Sequence, residues 1–159
     1  MRVLITGAGG FIGSHLVDSQ LEHGHHVRAV DLHLDLLSHQ AAHPRLQVIR
    51  GDITEKDIVQ KLVEGIDVVY HLASAHLDVN LSDEHYCRVN VDATLSLLEA
   101  AKQLGVKRFV HCSSVGVIGD TDGIHLYVAL SAPAIPRKIV QSSPSIFSQM
   151  RRAIARLRP

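Results

Sequence analysis

Arg2-Val3-Leu4-Ile5-Thr6-Gly7-Ala8-Gly9-Gly10-Phe11-Ile12-Gly13 runs from a short apolar segment straight into a cluster of glycines. The apolar part, Arg2–Thr6, reads as a buried strand. The residues after the glycines read as a helix continuing to about His23, where Gly24 is placed to end it in the left-handed conformation. A strand, a glycine turn and a helix in that order bring main-chain N–H groups together at a helix N-terminus, where phosphate is readily bound. Glycines allow the tight turn and the close approach of a ligand to the backbone. The spacing is G-x-x-G-x-x-G (Gly7, Gly10, Gly13). No Lys-Ser/Thr pair follows, which excludes the phosphate loop of nucleotide hydrolases.

The next strand, His26–Asp31 (HVRAVD), ends on a carboxylate. In a βαβ unit opened by a glycine loop, an acid at that point accepts hydrogen bonds from the adenosine ribose hydroxyls and repels a 2′-phosphate. The expected ligand is therefore a dinucleotide held on Gly7, Gly10 and Gly13, with Asp31 favouring NAD over NADP. The alternative is a purely structural turn, with Asp31 as an ordinary strand-end residue.

The same alternation continues outward. Leu32–His43 is a weak helical stretch that Pro44 ends. Leu46–Arg50 is a third strand. Thr54 and Asp57 offer an N-terminal cap for a helix reaching Glu64 and stopping at Gly65. Asp67–Leu72 is a fourth strand, about Asp83–Leu104 a long helix ending at Gly105, and Lys107–Cys112 a fifth strand. Strands alternating with helices imply a parallel sheet with right-handed crossovers. The predicted fold is α/β, a Rossmann-like doubly wound sheet of order 3-2-1-4-5 with helices on both faces. The long helix carries Val91, Leu95 and Leu98 on one line and Leu97, Ala101 and Leu104 on the next. That apolar arc is wide, which suits either deep packing on the sheet or a subunit contact.

Composition narrows the function classes. With 159 residues and 46% apolar content, the chain is long enough for one domain with its own core. No apolar run is long enough to span a membrane. The start resembles no signal peptide. Cys87 and Cys112 stand far apart without a CxxC, which fits a reducing cytoplasm rather than a disulfide scaffold or a zinc site. The histidine cluster His23, His25 and His26, with Glu22, matches no familiar metal spacing. No nucleophile elbow surrounds Ser114, which argues against a serine hydrolase.

The formal charge is zero, but unevenly distributed. Every acid lies at or before Asp122, whereas residues 123–159 hold Arg137, Lys138, Arg151, Arg152, Arg156 and Arg158. The expected division is a dinucleotide-binding domain over 1–122 and an atypical basic tail over 123–159. The tail fits a deletion, a change of reading frame or a divergent ending. Its aromatics, Tyr127 and Phe147, are too few to support stacking on single-stranded nucleic acid.

Taken together, the segments ITGAGGFIGSHL, VDL, RGDIT (Arg50–Thr54), VVYHLAS (Val68–Ser74), RVNVDATLSLLEAA (Arg88–Ala101) and KRFVHCSSVGVIG (Lys107–Gly119) resemble the extended short-chain dehydrogenase/reductases, the NAD-dependent epimerase/dehydratase family. The resemblance implies that Phe11 and Ile12 join the glycines at the cofactor. It further implies that Asp52 and Ile53 contact the adenine, that Ala73 lines the cofactor cleft, and that Asn90 lies in the long helix beneath the active site. Ser114 would hydrogen-bond the reacting oxygen of a small-molecule substrate, a nucleotide sugar or else a sterol or other secondary alcohol. The family dimerises through two helices, of which only the one at about 83–104 is identifiable, so the resemblance implies a weak homodimer through it or a monomer with an exposed apolar stripe.

The family's proton-transferring tyrosine, with a lysine four residues later, has no counterpart. Tyr127 is followed four residues on by Ser131, and Lys138 is preceded four residues back by Ala134. Nor do these residues hold the family's substrate-binding half. The expectation is an NAD-binding portion of an oxidoreductase with little or no turnover alone. The other reading is a non-catalytic dinucleotide-binding sensor or partner module.

Overall fold

A computed structural model of the chain describes residues 1–75 and 81–113. Five strands, β1 (Arg2–Thr6), β2 (His26–Asp31), β3 (Leu46–Arg50), β4 (Val68–His71) and β5 (Arg108–His111), form one parallel sheet of order β3-β2-β1-β4-β5. The expected order is borne out. Register is continuous across it, with Ile5 opposite Ala29 on one side and Tyr70 on the other.

Alternation along the strands explains why both faces are covered. Val3 and Ile5 join Val17, Leu21, Val27, Ala29 and Leu37 in one core, packed beneath helix α1 (Phe11–Glu22). Leu4 points the other way, joining Val30, Val59, Leu62, Val69 and Leu97 beneath helices α2 (Lys56–Val63) and α4 (Ala93–Gln103). A sheet buried on both faces needs apolar residues at successive positions, which is why these strands read as continuous apolar runs.

The helix ends follow the glycines. Gly24, with φ +80°, lets His25 N–H reach the Gln20 carbonyl at 3.0 Å and Gly24 N–H the Leu21 carbonyl at 3.0 Å, closing α1.

Three details depart from the sequence reading. Leu32–His43 holds only a short, tighter 3-10 turn over Asp35–Gln40. The cap expected from Thr54 and Asp57 is not formed: Glu55 occupies the cap position of α2 without a side-chain bond, and Asp57 lies in the first turn. The long helix is continuous from Asp83 to Gln103 but not uniform. It begins as α3 (Asp83–Cys87), capped by Ser82 Oγ accepting from His85 N–H at 3.3 Å. It then widens into a π turn over Arg88–Asp92 before α4. Thr94 Oγ1 donates to the Asn90 carbonyl at 2.9 Å, competing for an oxygen that would otherwise serve the helix ladder. Ser114 and the basic tail over 123–159 lie outside the described residues.

Candidate functional site

The site is built at the carboxyl ends of the strands, where ligands gather in doubly wound sheets. The turn between β1 and α1 spends its own amides on the fold. Ala8 N–H donates to the Val30 carbonyl at 3.2 Å, Gly9 N–H to Asp31 Oδ2 at 2.9 Å, and Gly10 N–H to the Gly7 carbonyl at 3.2 Å. Ser14 N–H makes the first bond of the helix, to the Gly10 carbonyl at 2.9 Å. The first-turn amides of Phe11, Ile12 and Gly13 have no residue one turn earlier in the helix to receive them. The side chains of Phe11 and Ile12 are 74% and 60% exposed, so neither is held by the core.

The loop glycines serve different ends. At Gly7, with φ +69°, a Cβ would sit 2.6 Å from the Ala73 nitrogen. At Gly13 a Cβ would sit 2.0 Å from the Gly7 carbonyl oxygen, and at Gly9 one would collide with the His33 carbonyl oxygen. These three are glycines because the fold presses backbone against them. Gly10 is not. Its φ of −76° and ψ of 170° suit any residue, and among the described residues a Cβ would meet only the Gly7 oxygen, at 3.4 Å.

Asp31 lies at the end of β2, half-buried, accepting from Gly9 N–H and, through Oδ1, from His33 N–H at 3.2 Å. Asp52 Oδ1 accepts from Thr54 N–H at 2.8 Å and turns the chain after β3. Ile53 packs into the core and is 6% exposed. Ala73, half-buried just beyond β4, donates to Thr6 Oγ1 at 3.4 Å. Asn90, in the π turn, clamps Ala75 from both sides: Oδ1 accepts its N–H at 2.8 Å and Nδ2 donates to its carbonyl at 2.9 Å. The structure thus groups Gly7, Gly10, Phe11, Ile12, Gly13, Asp31 and Ala73 around one turn and its neighbours. Asn90 acts on the loop after β4, through backbone.

A buried polar chain that sequence reasoning did not single out supports this arrangement. His71, 1% exposed, joins Thr6 Oγ1 through Nδ1 at 2.7 Å and Thr94 Oγ1 through Nε2 at 2.8 Å. Thr94 already donates its proton to the Asn90 carbonyl, so its oxygen accepts from Nε2–H, and Nδ1 accepts from the Thr6 hydroxyl. The bonds therefore assign His71 a neutral tautomer. Burial, followed by the nearby His111, pushes its pKa down to about 3, which keeps it neutral at ordinary pH. His111 stacks on it with ring centroids 5.2 Å apart, and burial lowers its pKa too. The sequence signal was a histidine directly after the apolar run Val68-Val69-Tyr70 and before Leu72.

Comparison with known proteins places the chain. Residues 3–138 match the family model described as the NAD dependent epimerase/dehydratase family. The chain is 43% identical over 124 residues to a 3 beta-hydroxysteroid dehydrogenase/Delta 5→4-isomerase of Mycobacterium tuberculosis, covering 74% of this chain and 32% of that protein. It is 39% identical over 132 residues to a UDP-glucose 4-epimerase of Mycolicibacterium smegmatis, covering 76% and 41%. Among solved structures, a variant of UDP-glucuronic acid 4-epimerase from Bacillus cereus, in complex with a fluorinated UDP-glucuronic acid and NAD, superposes with a TM-score of 0.74. That match has 30% identity and covers 98% of this chain and 51% of the other. The chain thus spans about a third to a half of the proteins it resembles. With its fold, glycine turn and family match over most of its length in agreement, the chain belongs to the NAD-dependent epimerase/dehydratase family.

Proposed function

We propose that this chain binds NAD over the β1–α1 turn and is the cofactor-binding portion of an oxidoreductase acting on a nucleotide sugar or a steroid. The observation that carries the reading is Gly10. Neither its backbone angles nor its neighbours among the described residues require glycine, and it stands at the cap of α1, directly before the open amides. The first turn of α1 also holds no acid of its own, which leaves its amides favourable to an anion.

In this reading the amides of Phe11, Ile12 and Gly13 receive the pyrophosphate, with Gly7 keeping the turn tight. Asp31 takes the adenosine ribose. Asp52 takes the adenine amino group, with Ile53 forming the floor from the core. Ala73 lines the cleft, and Asn90 holds the loop after it. Bound nicotinamide would supply a hydride acceptor for a substrate carbinol, with Ser114 near the reacting oxygen. Both a steroid dehydrogenase and a sugar-nucleotide epimerase stand among the relatives, so both substrate classes are kept. The helix from Asp83 to Gln103 is the surface we assign to a homodimer, and the cytoplasm the compartment. Nucleic acid and metal play no part in the proposal.

Calorimetric titration with NAD tests it. Wild type is expected to bind. Gly10→Val should weaken binding by about a hundredfold or more while leaving the unfolding midpoint nearly unchanged, since among the described residues a Cβ there meets only the Gly7 oxygen, at van der Waals distance. Equal affinity in the two proteins would remove the site.

The missing tyrosine–lysine pair favours a second reading, a dinucleotide-binding module without chemistry of its own. Turnover assays with UDP-sugars and 3β-hydroxysteroids separate the two: measurable hydride transfer excludes the module.

A further inference from the structure

We propose that Asp31 is a positioning residue for the phosphate-binding turn as well as the selector of the ribose, so that cradle and selector form one unit. This rests on the NAD reading above. Two bonds join the glycine turn to the end of β2, Ala8 N–H to the Val30 carbonyl at 3.2 Å and Gly9 N–H to Asp31 Oδ2 at 2.9 Å, and a third, His33 N–H to Asp31 Oδ1 at 3.2 Å, folds the chain leaving β2 back on itself. The carboxylate therefore holds Gly9 with one oxygen and bends its own chain back with the other. The bend seats the His33 carbonyl in the place a Gly9 side chain would occupy. Gly9 is a glycine to admit this strap, whereas Gly10 leaves room for a ligand.

A carboxylate oxygen accepts more than one hydrogen bond, so ribose hydroxyls can join Asp31 without releasing Gly9. A 2′-phosphate cannot join on those terms. It either meets the charge directly or displaces the carboxylate, which frees Gly9 and slackens the turn that holds the pyrophosphate. Rejection of NADP then has a mechanical part beside the electrostatic one.

The two parts separate in a pair of variants. Asp31→Asn removes the charge but keeps an oxygen for Gly9 N–H. Asp31→Ala removes both. If Asp31 acts only by repulsion, both variants gain affinity for NADP. If it also straps the turn, only Asp31→Asn gains. Asp31→Ala should lose at least about tenfold toward NAD and NADP alike. Amide hydrogen exchange on the ligand-free proteins reads the strap without any nucleotide. The Gly9 amide should exchange at least about tenfold faster in Asp31→Ala than in wild type, with little change in Asp31→Asn. Unchanged Gly9 exchange in Asp31→Ala, or a gain in its NADP affinity, overturns the proposal and leaves the NAD site standing. Absence of NAD binding by wild type would instead remove the site, while the exchange result would still report on the strap.

Discussion

The two ends of the sheet treat helix termini in opposite ways. Where the strands begin, helix carbonyls are consumed by arginines. Arg28 Nη1 donates to the carbonyls of Lys61, Leu62 and Glu64 at 3.0, 2.7 and 3.0 Å, closing α2. Arg45 Nη2 reaches the Leu21 carbonyl of α1 at 3.3 Å. Asp67 ties β1 to the start of β5, accepting from Arg2 N–H at 2.8 Å and Lys107 Nζ at 2.6 Å, and the Lys107 bond leads in holding its pKa below the usual carboxylate value. Where the strands end, the helix terminus is left open. The buried chain Thr6–His71–Thr94 is neutral, and α1 opens with neither a side-chain cap nor an acid. The negative ends of α1 and α2 are thus met by arginines, while the positive end of α1, without a side-chain cap or a first-turn acid, is left favourable to an anion.

The sharpest way to break this comparison is to add bulk to the loop at a position the fold uses. Gly13→Val puts a side chain 2.0 Å from the Gly7 carbonyl oxygen, which only a shift of α1 away from β1 would relieve. Overpacking of this kind costs about 3 kcal/mol or more. Against the roughly 5–15 kcal/mol of an ordinary domain, the variant should be largely unfolded or have a greatly reduced urea midpoint. A well-folded Gly13→Val with normal stability would show that the three packed glycines are not distinct from Gly10.

Acid should act on the ligand end first. The folded pKa of His71, about 3, lies below its ordinary 6.5, so between those values the unfolded chain binds the proton and the native one does not. The stability it contributes is complete above pH 6.5 and is lost as pH falls toward 3. Lowering pH from 7 to 4.5 should therefore remove on the order of 2 kcal/mol. His111 acts in the same direction. Urea midpoints across that range would measure the slope, and His71→Phe should flatten it while lowering stability at pH 7, since Thr6 and Thr94 lose their shared partner. An unchanged slope in the variant would move the acid sensitivity elsewhere.

Legibility in the sequence follows the same division. Strand order, the glycine stops and the β1–α1 turn were readable because each depends on local rules: apolar runs, left-handed glycines and the strand–turn–helix order. Asp31 stood out in the sequence as a candidate for the ribose, but its bonds to Gly9 and His33 were not readable, because these partners meet it only after the chain turns back. The His71 chain was hidden for the same reason. Thr6 and Thr94 stand 65 and 23 residues from it in sequence, and no periodicity announces a polar contact of that range. The π turn at Arg88–Asp92 escaped because an apolar stripe constrains which side faces the sheet, not how each helical turn is bonded.

The smallest effect should come from the other end of the sheet. Arg28→Met keeps much of the stem's packing and removes the donors that serve three α2 carbonyls and Gln47. Those carbonyls lie near the surface and can turn to water, so the loss is limited to about 1–2 kcal/mol rather than the sum of the bonds. NAD affinity should be unchanged, because Arg28 sits three residues before Asp31 on the strand and its side chain acts at the far end of α2. A midpoint shift without a binding change would establish that the closed ends hold the fold and the open end holds the ligand. A loss of NAD affinity in Arg28→Met would mean that the charge of the closed end reaches the site, and the separation between the two ends would fail.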